Sequence, residues 1–209
     1  MPTLLLIRHG ENDFAKRGIL AGRRPGVHLN DNGRRQAQAL AEALAEMPLV
    51  AVYSSPLERA VETAKPLAVA LGLKILREPG LIETDVGKWE GKSVRRLALS
   101  RYWSIVQRAP SRAGHPGGET FIQAQTRIAS ALESICGRHK LKDMIACVLH
   151  SDPIKLAVAH FIGLPLDNFQ RIGCEPASVT MLALGASSAK LVWLNRQPPF
   201  TIDGPTDGN

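Results

Sequence analysis

The sequence predicts an α/β fold: a three-layer α/β/α sandwich around a mainly parallel sheet. Three observations carry that expectation. Short apolar runs of strand length alternate with longer segments of helical period. Helix-start signals follow directly on two of those runs. At 209 residues the chain is of single-domain size for such an architecture.

Taken in order, Leu4-Leu5-Leu6-Ile7 is apolar throughout, as a central strand buried on both faces is. Asn30 to Met47 is helical, because Ala37, Leu40, Ala41 and Leu44 recur at three and four residues while Arg34, Arg35, Glu42 and Glu46 take other faces. Leu49 to Tyr53 is a second strand. Ser55-Pro56-Leu57-Glu58 reads as a capping box with proline at the first helical position. It opens a helix to about Leu71, which Pro66 is expected to kink or split. Lys74-Ile75-Leu76 is a third strand. Thr84 to Gly118 is less regular and mixes short amphipathic stretches with Gly and Pro. A long helix is expected from Glu119 to about His139, then a strand from Met144 to Leu149. Asp152-Pro153 caps the next helix, which ends at Gly163. Ser178 to Leu184 and Lys190 to Leu194 close the sheet. Residues 1–196 form one domain, and 197–209, rich in Pro, Gly and Asp, form a flexible tail.

Composition narrows the class. The chain is 44% hydrophobic and 22% charged, which excludes wholesale disorder and fibrous structure. Cys136, Cys147 and Cys174 form no short-spaced pair, so a reducing compartment is expected and a disulfide framework is not. No apolar run approaches the ~18 residues of a membrane span, and the amino-terminal run is too short for a signal segment. The expected location is the cytoplasm, without membrane contact. Lys and Arg number 26 against 19 Asp and Glu, a net charge of +7 that favours anionic partners. Nucleic acid is disfavoured, for there is no basic helix and no aromatic-interleaved basic patch.

In parallel sheets ligands bind at the carboxyl ends of the strands. Those places hold Arg8-His9-Gly10, the segment Ser54 to Arg59, and His150-Ser151. Guanidinium forks match phosphate oxygens, and a helix amino terminus adds N–H donors. Two histidines and two arginines at three strand ends therefore suit a phosphoryl group. Other conspicuous residues have plainer readings. His139 completes a helix end, His160 is a core or boundary residue, and Trp103 and Trp193 pack. Lys16, Arg17, Arg23 and Arg24 form a solvated loop face or a substrate-attracting rim. His115, beside the Gly117-Gly118 loop, is a weaker candidate for the pocket wall.

Leu5-Leu6-Ile7-Arg8-His9-Gly10-Glu11 resembles the signature of the histidine phosphatase superfamily, which contains the phosphoglycerate mutases. The resemblance continues in order along nearly the whole chain. It takes in Leu29 to Ala37, Tyr53-Ser54-Ser55-Pro56-Leu57-Glu58-Arg59-Ala60, and Leu81-Ile82-Glu83 with Gly87, Trp89, Glu90 and Gly91. Pro116-Gly117-Gly118-Glu119 and Leu149-His150-Ser151 complete it. It implies a phosphoglycerate mutase-like sandwich and a phosphohistidine mechanism. His9 would be the nucleophile and Glu83 the proton donor, while Arg8, Arg59 and His150 hold the phosphate. Asn12, Gly22 and Ser151 are further candidates for the substrate site.

The family often places an Asn six residues after the nucleophile. This chain has Ala15 there, so either Asn12 or His28 substitutes or the pocket has one donor fewer. The segment Thr84 to Trp89 lacks the basic insert of the mutases and resembles the phosphatase branch. The expected activity is a metal-independent phosphomonoesterase acting on a small phosphorylated metabolite, with no cofactor and no metal site. A phosphoglycerate mutase is the alternative within enzymes. A catalytically dead scaffold and a nucleic-acid-binding protein are the non-enzymatic readings, and a homodimer is compatible with all of them.

Overall fold

The structure, a computed structural model, describes residues 2–185 and 188–200. Its elements in chain order are β1 (Thr3–Arg8), α1 (Asp13–Lys16), α2 (Asp31–Leu44), β2 (Leu49–Ser54), α3 (Glu58–Ala70), β3 (Ile75–Arg77), α4 (Val94–Leu97), α5 (Arg101–Arg108), α6 (Phe121–Gly137), β4 (Met144–Leu149), α7 (Ser151–Phe161), β5 (Val179–Leu184) and β6 (Ala189–Arg196). The strands form one sheet in the order β3-β2-β4-β1-β5-β6. The first four run parallel, and β5 and β6 are antiparallel.

The unbroken apolar run of β1 follows from its position in the middle of this sheet. Successive side chains alternate across the sheet, so the run serves two cores. Leu4 and Leu6 enter one cluster with Phe121, Ile128 and Leu132 of α6 and Ile154 of α7. Leu5 and Ile7 enter the other with Leu40 and Leu44 of α2 and Ala64 and Leu67 of α3. The three layers of the expected sandwich are thus α6 and α7, the sheet, and α2 and α3. No helix among the described residues is long and apolar enough to cross a membrane.

Local signals differ from expectation at several points. The capping box at Ser55 does not form: Leu57 is the N-cap of α3 and makes no side-chain cap bond. The Ser55 hydroxyl is turned to His150 instead, at 2.7 Å. Pro66 does not split α3, which continues through it as one element. The helix after β4 is not capped by Asp152-Pro153. It starts at Ser151 with His150 as N-cap, and Asp152 stands in the first turn, where a carboxylate suits the helix dipole. The long helix starts at Phe121, because Thr120 and Gln123 form the capping box that holds its first turn. The short helix α1, capped by Asn12, was not anticipated. Four residues carry too little periodicity to show. Phe200 stacks on Trp193 beyond β6. Residues 201–209 of the expected tail lie outside the described residues.

One close approach sets the loop after β1 against α2. A Cβ on Gly33 would lie 2.1 Å from the Glu11 carbonyl oxygen, and one on Gly10 would lie 2.6 Å from that of Gly33. Alanine is ordinarily the better helix residue by about 1 kcal/mol. Gly33→Ala is nevertheless expected to lose about 1–3 kcal/mol, because backbone must shift to admit the methyl group. Urea denaturation measures this, and a gain in stability would show that the approach is not limiting.

Candidate active site

The carboxyl ends of β1, β2 and β4 converge on one cleft of about 230 Å³. Arg8, His9, Asn12, Gly22, Arg59, Glu83, Ser151 and Asp152 line it, with Ile19, Leu20, Val86 and Val94 forming an apolar wall. His150 stands behind His9, their ring centroids 5.2 Å apart. Arg8, His9, Asn12, Gly22, Arg59, Glu83 and Ser151, with His150 behind them, are therefore brought to one site.

His9 follows β1 directly and is nearly buried. Its Nδ1 donates to the Gly10 carbonyl at 2.7 Å, which leaves Nε2 as the ring atom with a free lone pair. Burial lowers its pKa well below the usual imidazole range, and the cations Arg59 and Arg8 add to that, against the Gly10 hydrogen bond. The ring is neutral, as a nucleophile must be.

His150 is fully buried, and its pKa is held well below the usual range by burial, then by Arg59, His9 and Arg8. Ser55 Oγ accepts from the Leu57 amide at 3.4 Å, so its hydroxyl hydrogen is free to bond His150 Nε2. That network assigns the ring proton to Nδ1, which has no partner and lies 3.9 Å from Glu83 Oε2.

Arg59 sits in the first turn of α3 at 1% exposure. Its Nη2 donates to the Gly22 carbonyl at 2.8 Å, while Nε and Nη1 have no partner. Arg8 bonds the Cys174 carbonyl through Nη1 and leaves Nε unpaired. Buried donors are rarely left alone. Four unpaired donor atoms on Arg8, Arg59 and His150, together with the amino terminus of α7, suit a phosphoryl group.

Glu83 is different in kind. Burial pushes its carboxyl up to about 7, nearby Asp152 adds to this, and Arg59, the Thr84 amide and Arg8 oppose it. A group poised there gives or takes a proton near neutral pH.

Gly22 acts through its carbonyl on Arg59, and its φ of +52° is readily adopted only by glycine. Asn12 lines the cleft beside Ala15, its Oδ1 occupied by the Ala15 amide. His28 is exposed and pairs with Glu62, so of the two substitutes for the absent asparagine only Asn12 reaches the cleft. His115 packs between Trp89 and Phe121 and does not line the cleft. His160 is exposed, on the edge of Phe161. Arg23 is neither a solvated residue nor a rim: its Nε donates to the Glu83 carbonyl. Sequence reasoning also missed Ser55 as the partner of His150, and Thr63. Thr63 Oγ1 accepts from the Gly10 amide and donates to the Arg59 carbonyl, tying the loop after β1 to α3. No cluster of three or more metal-ligating side chains occurs among the described residues.

A cationic cradle around a buried neutral imidazole, at the strand ends of a mixed α/β sandwich, describes a phosphoryl-transfer site. The chain belongs to the histidine phosphatase superfamily (branch 1), whose sequence profile matches residues 4–197. It is 29% identical over 201 residues to phosphoserine phosphatase 1 of Hydrogenobacter thermophilus, covering 93% of this chain and 92% of that one. It is 28% identical over 190 residues to a 2,3-bisphosphoglycerate-dependent phosphoglycerate mutase of Thermoplasma acidophilum, covering 87% of each. A solved mycobacterial glucosyl-3-phosphoglycerate phosphatase, in complex with VO3, has the same fold. Its TM-score is 0.85 at 24% identity, over 93% of this chain and 99% of that one.

The two depressed imidazoles make stability depend on pH. Unfolded, both would take up protons near pH 6.5; folded, both resist. Their contribution is present above that pH and is lost as the pH falls through the lower folded values. His150→Asn is expected to flatten the acid-side slope of unfolding free energy by up to ~1.4 kcal/mol per pH unit. Urea titrations at stepped pH measure it, and an unchanged slope would mean that His150 protonates freely in the folded chain.

Proposed function

We propose that this chain hydrolyses phosphomonoesters of small metabolites through a phosphohistidine on His9. The observation that carries the reading is the neutral His9 ring beneath unpaired donors of Arg8, Arg59 and His150. In the first step His9 Nε2 attacks phosphorus as the ester P–O bond breaks, and the Glu83 proton passes to the leaving alcohol oxygen. In the second, water attacks phosphorus, Glu83 takes its proton, and the N–P bond breaks to release phosphate. A pKa of about 7 lets one carboxyl serve both steps. The guanidiniums and the His150 Nδ1 proton stabilise charge on the equatorial oxygens, so the site supplies its own electrophiles.

The mutase reading draws on the Thermoplasma relative. It requires that phosphate be retained and returned to a sugar acid, which needs further cations in the cleft. Among the described residues Arg8 and Arg59 are the only Lys or Arg in the cleft lining; Ile19, Leu20, Val86 and Val94 are apolar, and Glu83 and Asp152 are acidic. That lining favours hydrolysis. The three free cysteines fit a reducing cytoplasm, where we place the protein.

EDTA is expected to leave activity intact and vanadate to inhibit it. Loss on chelation, restored by Mg²⁺, would replace this mechanism with a metal-dependent one.

His9→Ala removes the phosphorylated atom and should abolish phosphoenzyme with every substrate. Glu83→Gln should slow phosphorylation by an alkyl phosphate on the order of 10²–10⁴-fold, and much less by p-nitrophenyl phosphate, whose leaving group needs little protonation. Rapid-quench trapping of acid-labile phosphoenzyme measures both. Equal losses on the two substrates would remove Glu83 from the acid role.

A further inference from the structure

Outside the cleft, Glu119 gathers an ion network around the loop that carries Glu83. Arg127 of α6 grips its carboxylate with both arms, Nε to Oε1 at 2.8 Å and Nη2 to Oε2 at 2.9 Å. The third nitrogen of that guanidinium, Nη1, donates to the carbonyls of Gly80 and Ile82, each at 2.9 Å. Arg23 approaches from the other side. Its Nη2 lies 2.9 Å from Glu119 Oε2, and its Nε donates to the Glu83 carbonyl at 2.8 Å. Glu119 Oε2 also accepts the Asp85 amide at 3.0 Å, and the Glu119 amide donates to the Asp85 carbonyl at 2.9 Å.

The backbone is therefore held at Ile82, Glu83 and Asp85, on both sides of the proton donor. The Glu83 carboxylate takes its own orientation from the Thr84 amide, which bonds Oε1 at 2.9 Å. That amide lies between the held carbonyl of Glu83 and the held amide of Asp85. Its direction is set by the network and not by the cleft.

We infer that Glu119 is a positioning residue for Glu83, aiming the proton donor through Arg127, Arg23 and the Asp85 amide. The inference rests on Glu83 being the acid, as proposed above. Glu119 touches no substrate; it neutralises two guanidiniums that would otherwise face each other, and each of them is spent on a carbonyl of the acid loop. Arg127 holds its pKa down at about 2, with the Asp85 amide and Arg23 acting the same way against burial. Glu119 is thereby held in its charged form. Arg23 follows Gly22, whose carbonyl holds Arg59, so one short loop braces both the phosphate-binding guanidinium and the acid.

The test is a double-mutant cycle read on two leaving groups. Glu119→Gln loses the charge and turns an amide toward an arginine. It is expected to lower the phosphorylation rate with an alkyl phosphate by about 10–100-fold, the span seen when outer-shell partners are removed. KM should be unchanged, and p-nitrophenyl phosphate should be affected far less. In the Glu83→Gln background, Glu119→Gln should add no further loss.

A loss equal on both substrates, or a full additional loss in the Glu83→Gln background, would overturn the positioning role. If Glu83→Gln itself shows no leaving-group dependence, the acid assignment fails, and that outcome is distinct. Arg23→Gln, at a half-exposed guanidinium, is the second variant should Glu119→Gln fold poorly. It must show the same leaving-group dependence, and a uniform effect there would count against the inference.

Discussion

The site depends on one buried charge. Arg59 is 1% exposed, makes a single hydrogen bond, and has two further nitrogens without a partner. A cation held that way costs several kcal/mol of solvation in the folded protein. In the proposed function a dianionic phosphoryl group restores the missing interactions, so the cost of folding is converted into affinity for the substrate. Burial lowers the pKa of His9 and His150 and the Arg59 charge adds to it, while the same charge pulls down the pKa that burial raises on Glu83. Its neighbours are arranged to keep it in place. Gly22 offers a carbonyl, and Thr63 joins the Arg59 backbone to the loop that carries His9.

Burial and charge then divide the labour between the two kinds of titratable group. For an imidazole, desolvation and neighbouring guanidiniums act in the same direction, toward the neutral form. For a carboxyl they oppose each other, and the balance falls near neutrality because Asp152 adds a second negative charge on the side of burial. Asp152 therefore matters twice. It stands in the first turn of α7, where the helix dipole tolerates a carboxylate, and it adds to burial in raising the pKa of Glu83, the proposed acid. The proposed nucleophile and the proposed acid sit in one cleft yet are tuned apart, which is the arrangement acid–base chemistry at pH 7 requires.

What was legible in the sequence was the part written in single elements. β1 reads as a buried strand because it is buried on both faces, and the histidines and arginines stand out because they fall at strand ends. Misread signals came from residues with two possible partners. Ser55 has the spacing of a capping residue, but His150, 95 positions away in the chain, takes its hydroxyl. Asp152-Pro153 resembles a helix start, whereas the helix begins earlier because β4 delivers His150 to the N-cap. Arg23 sits in a run of exposed cations and was indistinguishable from Arg24 by local pattern. Only the fold brings the Glu83 carbonyl and Glu119 to it. Short elements such as α1, α4 and α5 have too few turns to show a period at all.

Charge also acts at longer range. From Gly91 to Gly118 the chain carries Lys92, Arg95, Arg96, Arg101, Arg108 and Arg112 and no Asp or Glu, so most of the net +7 resides in this one segment. Its helix α4 contributes Val94 to the wall of the cleft, and its arginines remain exposed. A field of that sign above a cleft draws anions from within about a Debye length, roughly 8–10 Å at physiological salt. None of those side chains lines the cleft itself. In the proposed function the exposed arginines gather phosphoesters without discriminating among them, and the half-buried Arg8 with the buried Arg59 holds the phosphoryl group. Attraction and recognition are thus assigned to different arginines. The first set acts through solvent and is strongest at low salt; in the second, Arg59 is withdrawn from solvent.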